Sequence, residues 1–238
     1  MAMFIVADLD GTLIKEPDSS LKPKFIEKIK KLTDCSNIFA VNSGRPYEYL
    51  KKYFEPILNR TVFICNEGTQ IMYKNCLIYK KTLSVGTIKE LCSGLDFEKF
   101  SPYGALRETN QKLDENILKL PALFGEDVFK LVFIKKSPNP QDTQRLKEKA
   151  EALRLRTCYE DDTYLEFCLK EANKGVATQF FKNKFSFSGE LIAFGDDERD
   201  FSMFDIADKS FLCKGKENVF YSGAKLIESA QDYIINEI

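Results

Sequence analysis

The sequence predicts an α/β protein: a doubly wound, mostly parallel Rossmann-like sheet with a smaller α+β domain inserted into it. Three observations lead there. Four strand-length runs, MFIVA, NIFAV, TVFIC and LIAF, are apolar throughout, which is the pattern of strands buried on both faces. Helical stripes lie between these runs, so strand and helix alternate and the connections are right-handed crossovers. Each run also stops at a small polar or acidic cluster containing glycine: Asp8-Leu9-Asp10-Gly11, Asn42-Ser43-Gly44-Arg45, Asn66-Glu67-Gly68 and Gly195-Asp196-Asp197. Ligands of doubly wound sheets sit at the carboxyl ends of the strands, so the four clusters are expected to share one rim.

Each element has its own signal. MFIVA opens the chain as a strand. Residues 22–33 place Phe25, Ile26, Ile29 and Leu32 on one stripe behind Lys22-Pro23, a helix start. After NIFAV, residues 46–54 begin with Pro46 and carry Leu50, Tyr53 and Phe54, which predicts a second helix. TVFIC is followed by QIMY and CLIY around Lys74-Asn75, a hairpin. Residues 83–94 read as a short helix, and 100–127 show no clear period. VFKLVFI at 128–134 reads as a strand, 140–155 as a polar amphipathic helix, and RTCYE with TYLEFCL as a closing hairpin. Val176, Ala177, Phe180 and Phe181 mark a helix at 173–183; Phe201, Phe204 and Ala207 mark another after LIAF. The divisions that follow are 1–80 with 171–238 as a discontinuous core, and 81–170 as an insert of about 90 residues, within the range of a small domain.

The 238 residues are 44% hydrophobic and 30% charged, as in an ordinary globular chain. A net charge of −1 supplies no global field for nucleic acid or an anionic membrane, so neither is expected as a partner. No run reaches the roughly 18 apolar residues of a membrane span, and the N-terminus has no basic leader. The seven cysteines are odd in number and contain no C-x-x-C pair, which suits reduced thiols in a cytoplasmic protein. There is no histidine, which removes the usual general base, the usual zinc ligand and the Ser-His-Asp triad together. Acid–base work falls to carboxylates and lysines.

The pair Asp8 and Asp10 carries the chemistry. Strand side chains alternate, so both carboxylates leave one face if the strand runs through them. Two acids that close repel unless a cation sits between them or one keeps its proton. A hard divalent cation such as Mg²⁺ satisfies the first case, and a nucleophile beside a protonated acid the second. A capped turn with solvated aspartates is the bland alternative. Asp196, at another strand end, is a natural further metal ligand. Ser43 offers a hydroxyl and Gly44 a close backbone N–H, both suited to phosphate oxygens. Lys174 opens a helix, where an ammonium and free N–H groups face an anion together. This set suits phosphoryl transfer, whose problem is neutralising three equatorial oxygens while a nucleophile comes in line.

Four stretches then resemble the motifs of the haloacid dehalogenase (HAD) superfamily in family order: DLDGTL at 8–13, VNSGRP at 41–46, ANKG at 172–175 and GDDERD at 195–200. The insert between motifs two and three, and CNEGTQIMY before it, resemble the Cof-type branch with its large α/β cap. The resemblance implies a Mg²⁺-dependent phosphatase of small phosphorylated metabolites, sugar phosphates foremost, working as a monomer or weak homodimer. It implies that Asp8 attacks phosphorus, that Asp10 protonates the leaving alcohol and then deprotonates water, and that Ser43 and Lys174 bind and balance the phosphoryl group. Asp8, the backbone carbonyl of Asp10 and Asp196 would hold the metal, and Asp200 would order it. Thr12 would brace the turn. Motif four usually has asparagine where this chain has Arg199, which either reaches phosphate or points to solvent. Asp197 reads as a solvated loop charge, and Arg45 as substrate-facing. Asn66 and Glu67 face the leaving group or brace the hinge. A phosphosugar mutase and a catalytically weak binding protein of the same fold are the alternatives.

Overall fold

In a computed structural model, the chain is described over residues 2–15, 20–105, 110–112, 127–215 and 219–238. It divides into two units, Met1–Tyr79 with Asn173–Ile238, and Lys80–Ala172.

The first stretch runs β1 (Met3–Ala7), α1 (Pro23–Asp34), β2 (Ile38–Asn42), α2 (Tyr47–Leu50), β3 (Thr61–Cys65), β4 (Gln70–Tyr73) and β5 (Cys76–Lys80). α1 starts where Pro23 supplies a preset φ at the first turn, and it buries Phe25 and Ile29. The β4–β5 hairpin turns through Lys74 (φ 50°) and Asn75 (φ 60°), the two left-handed residues that a tight primed turn requires. The helix expected over 46–54 is confined to α2. Tyr53 and Phe54 then donate to Leu50 and Lys51, three residues back, and a 3-10 turn covers Glu55–Arg60. The tighter winding carries Phe54 into the core against Phe39 and Phe63.

The second unit holds α3 (Val85–Cys92), β6 (Phe100–Ala105), β7 (Asn110–Lys112), β8 (Lys130–Lys135), α4 (Pro140–Ala152), β9 (Leu155–Glu160) and β10 (Tyr164–Leu169). Its antiparallel sheet has the order β7-β6-β8-β10-β9. Leu131, Phe133, Leu165 and Phe167 pack against Ile88 and Leu91 of α3 and Leu146 and Ala150 of α4. α4 opens on a capping box between Asn139 and Asp142. The aperiodic stretch 100–127 contains β6 and β7; residues 106–109 and 113–126 lie outside the described residues.

The chain returns as α5 (Lys174–Lys184), β11 (Glu190–Gly195), α6 (Phe201–Phe204), β12 (Lys209–Cys213), β13 (Lys225–Ile227) and α7 (Ala230–Glu237). β12, β13 and α7 are elements that the sequence pattern does not predict. β12 has only three buried residues, and β13 is an edge strand with Lys225 and Leu226 exposed, so neither makes a long apolar run. The helix marked by Phe201, Phe204 and Ala207 ends at Phe204.

The resulting sheet has the order β13-β12-β11-β1-β2-β3-β4-β5. β13 through β3 are parallel; β4 pairs antiparallel with β3. Both faces are covered: Ile5 and Ala7 of β1 belong to the core that includes Phe25, Ile29 and Ile234, and Phe4 and Val6 to the core that includes Ala177, Phe181 and Met203. Strand order reverses at β1, which lies between β11 and β2, so the crevice of this sheet opens at the carboxyl ends of β1 and its neighbours.

Candidate active site

β1 and β11 run in register, Ala7 opposite Phe194, and the Asp8 N–H donates to the Phe194 carbonyl at 3.0 Å. Asp8 therefore leaves β1 level with Gly195, Asp196 follows at once, and the two carboxylates lie within 4.8 Å of each other. Gly11 makes the turn beyond β1 at φ +86°; a Cβ there would stand 2.3 Å from Asp196 Oδ2. Only a residue without a side chain lets the turn pass that close. Thr12 Oγ1 donates to Asp196 Oδ1 at 3.1 Å and holds the carboxylate from the other side.

Lys174 arrives from the first position of α5. Asn173 caps that helix, its side chain accepting from the Val176 N–H at 2.8 Å. Asn42, the last residue of β2, donates to the Lys174 carbonyl at 3.0 Å and to Thr178 Oγ1 at 3.1 Å, which ties the helix start to the sheet. The Lys174 ammonium then donates to Asp8 Oδ1 and to Asp200 Oδ1, both at 2.7 Å. Asp200 Oδ2 accepts the backbone N–H groups of Asp196 (2.9 Å) and Asp197 (3.2 Å). Relative exposure is 5% at Asp8, 2% at Asp196 and Lys174, and 0% at Asp200.

Three buried carboxylates thus lie together, and the Lys174 ammonium bonds two of them, Asp8 and Asp200. Burial pushes the Asp8 carboxyl up to about 8; Lys174 opposes that rise, and Asp200 and Asp196 add to it. Burial works against the Lys174 ammonium as well, but Asp200 and Asp8 outweigh it and raise its pKa. Ligand oxygens of Asp8, Asp196 and Asp200 lie within 4.8 Å of one another. A buried cluster of hard oxygen donors, with no imidazole in the chain, fits Mg²⁺ rather than a softer metal.

Asp10 is not part of this group. The strand ends at Ala7, so the alternation that would put Asp8 and Asp10 on one face does not extend to Asp10. Its half-exposed carboxylate instead accepts from Arg45 Nε at 3.1 Å and Nη2 at 3.4 Å. Arg45 also lies over the Tyr49 ring, 4.7 Å from its centroid. Ser43 is buried at the end of β2, its hydroxyl accepting the Arg45 N–H at 3.2 Å, and Gly44 follows against the Glu67 side chain. Asn66 is fully buried and donates to Gln70 Oε1 at 3.3 Å; its own Oδ1 has no partner among the described residues.

Arg199 does not point to solvent. Its Nε and Nη2 each reach Asp197 at 3.1 Å, and Nη1 lies 3.5 Å from buried Glu67 Oε1. Asp197 is correspondingly not a free loop charge: it caps the 3-10 turn Glu198–Asp200 and anchors Arg199. The spacing of Asp197 and Asp200 is that of a capping box, a signal the sequence already carried. The part played by Glu67 had no sequence signal, because its partner is 132 residues away by number and meets it only in the fold.

The model of the haloacid dehalogenase-like hydrolase family matches residues 5–101 and 96–227. The 5-amino-6-(5-phospho-D-ribitylamino)uracil phosphatase YitU of Bacillus subtilis (strain 168) is 24% identical over 228 residues, which is 85% of this chain and 83% of that protein. A solved haloacid dehalogenase-like hydrolase from B. subtilis aligns with a TM-score of 0.78 at 17% identity over 99% of both chains. The HAD subclass IIB sugar phosphatase BT4131 aligns with a TM-score of 0.70 at 14% identity, over 97% of this chain and 95% of that one. With four motifs in order on the rim of one sheet and a separate unit inserted between the second and third, the chain belongs to the haloacid dehalogenase-like hydrolase family, in its Cof-type branch.

Proposed function

We propose that this hydrolase is a Mg²⁺-dependent phosphatase of small phosphorylated metabolites, with sugar phosphates as the leading class, acting through an aspartyl phosphate on Asp8. The observation that carries the reading is the buried group of Asp8, Asp196 and Asp200, two of whose carboxylates the Lys174 ammonium bonds. Asp8, Asp196 and Asp200, with the backbone carbonyl of Asp10, would hold Mg²⁺, which when bound supplies the charge that keeps Asp8 ionised and offsets phosphoryl oxygens. The substrate class is supported by two relatives, one a 5-amino-6-(5-phospho-D-ribitylamino)uracil phosphatase and one a sugar phosphatase.

The chain's own residues divide the work. An Asp8 carboxylate oxygen bonds to phosphorus as the ester P–O bond breaks, which splits one difficult hydrolysis into two easier steps. Asp10 gives its proton to the leaving alcohol oxygen and then takes one from the water that cleaves the acyl phosphate. Its partial exposure suits a group that must meet both a leaving group and water. Lys174 fixes the Asp8 carboxylate and balances the incoming charge. The Ser43 hydroxyl and Gly44 N–H take phosphoryl oxygens, while Arg45, Asn66 and Arg199 border the substrate. The core, 1–80 with 171–238, carries this chemistry, and the insert 81–170 is its cap.

A phosphate-release screen over sugar phosphates and an artificial monoester, in Mg²⁺ and in EDTA, tests the reading, with Asp8→Asn as control. Release from at least one sugar phosphate that needs both Mg²⁺ and Asp8 is expected. Conversion of a hexose 1-phosphate into the 6-phosphate without free phosphate would instead identify a mutase, and no turnover of any kind would overturn the enzyme reading.

A further inference from the structure

Glu67 has no role in the chemistry above, yet its placement is unusual in three respects. It sits in left-handed backbone, φ 62°, between Asn66 at 51° and Gly68 at 85°. Such a position favours glycine or asparagine and disfavours a long side chain. Its carboxylate is nonetheless 2% exposed, so a charge as well as a side chain is held where each is unfavourable. The space it occupies is kept open by another residue: a Cβ on Gly44 would lie 2.3 Å from Glu67 Oε1. Backbone hydrogen bonds stitch the same turn to the Ser43–Arg45 loop, from Glu67 N to the Ser43 carbonyl at 3.3 Å and from Asn66 N to the Arg45 carbonyl at 3.1 Å.

The carboxylate faces Arg199 Nη1 at 3.5 Å. Asp197, on Arg199's own loop, takes Nε and Nη2. One end of the guanidinium fork is therefore held from β11's loop and the other from the turn after β3. Two anchors on different strand ends fix the plane of the fork, which a single partner would leave free to pivot. Burial disfavours the Arg199 charge, but Asp197 and Glu67 more than compensate and raise its pKa. Glu67 also acts through space on Lys174.

We propose that Glu67 is a positioning residue for phosphate binding: it holds the Arg199 guanidinium in the orientation that receives the phosphoryl group. This rests on the phosphatase reading and on Arg199 bordering the substrate. The sign of the effect makes it testable. Removing a negative charge beside an anion site, by electrostatics alone, tightens anion binding. Loss of positioning weakens it.

The test is a double-mutant cycle of Glu67→Gln and Glu67→Gly with Arg199→Ala, read by calorimetric binding of inorganic phosphate in saturating Mg²⁺ and by kcat and KM on the best substrate of the screen. Glycine suits the left-handed backbone, so Glu67→Gly keeps the fold even if glutamine does not, and thermal unfolding verifies it. Each single Glu67 variant is expected to weaken phosphate binding about tenfold and to raise KM by a similar factor, with the loss falling on KM rather than kcat. On the Arg199→Ala background neither Glu67 change should weaken binding further. Tighter or unchanged phosphate binding in both Glu67 variants, or an equal loss with and without Arg199, overturns the proposal. If the wild-type protein releases no phosphate from any substrate, the phosphatase reading fails, and the phosphate-binding cycle still decides the positioning role.

Discussion

The metal-free protein should lose stability as pH rises from 5.5 to 7.5, and Asp8 should be the cause. Burial moves the Asp8 carboxyl from 3.8 in the unfolded chain to about 8 in the folded one. A raised acid binds its proton more tightly when folded. Between those two values the folded state therefore carries more protons than the unfolded state, and stability falls as pH increases, by up to about 1.4 kcal/mol per pH unit for one group. Two units give about 3 kcal/mol, which for a chain of this length is a fall in Tm of roughly 6–12 °C. The window is unusually clean because the chain has no histidine. Asp142, Glu160, Asp161, Glu171, Glu228 and Asp232 are shifted downward instead. Their stabilisation is already complete above the ordinary carboxylate range and is lost only on acidification, so they leave this window flat. The assay is thermal unfolding in EDTA at pH 5.5, 6.5 and 7.5, for wild type and Asp8→Asn. The variant removes the titrating group and keeps the shape, so its Tm should stay level and exceed that of wild type at pH 7.5. Saturating Mg²⁺ should restore the wild type most at the highest pH. Parallel pH curves for the two proteins would refute the claim that burial raises the Asp8 carboxyl despite Lys174.

Other expectations follow from the same geometry. Lys174→Met strands Asp8 and Asp200 in the interior without their cation and should destabilise the metal-free protein by about 3–5 kcal/mol in urea unfolding, with part of the loss recovered in Mg²⁺. Gly11→Ala places a methyl against Asp196 Oδ2 on backbone that disfavours any side chain; Mg²⁺ affinity by calorimetry should fall at least tenfold, and retained affinity would show that the turn is slack. Phe181→Ala removes a ring that meets Phe4 at 5.7 Å, Tyr73 at 5.8 Å and Phe185 at 4.5 Å. It should cost about 3–5 kcal/mol of stability, and below its melting temperature kcat should be nearly unchanged, because Phe4, Tyr73 and Phe185 are not residues of the candidate site.

Much of the architecture was legible in the string of residues, for a local reason. Strands buried on both faces must be apolar throughout, so MFIVA and TVFIC coincide with β1 and β3 residue for residue. The primed turn at Lys74-Asn75 and the Pro23 helix start are likewise decided by the backbone preferences of a few neighbouring residues. Strand-end and helix-start positions point to Asp8, Asp196 and Lys174, and the family resemblance to Asp200; the parallel register of β1 with β11 and the start of α5 bring them together. What stayed hidden depended on distance. Asp10 left the face of Asp8 because the strand ended one residue before Asp8, and it found Arg45. Arg199 and Glu67 carry no sign of each other in the sequence, since an ion pair between two loops exists only once β3 and β11 have taken their places in one sheet. β12, β13 and α7 are too short or too mixed to declare themselves and form because a sheet already folded offers them an edge and an apolar face. Local patterning decided which segments become strands and helices; only the packed sheet decided which charges are buried together, because the cost of burying a charge is set by neighbours brought from far along the chain.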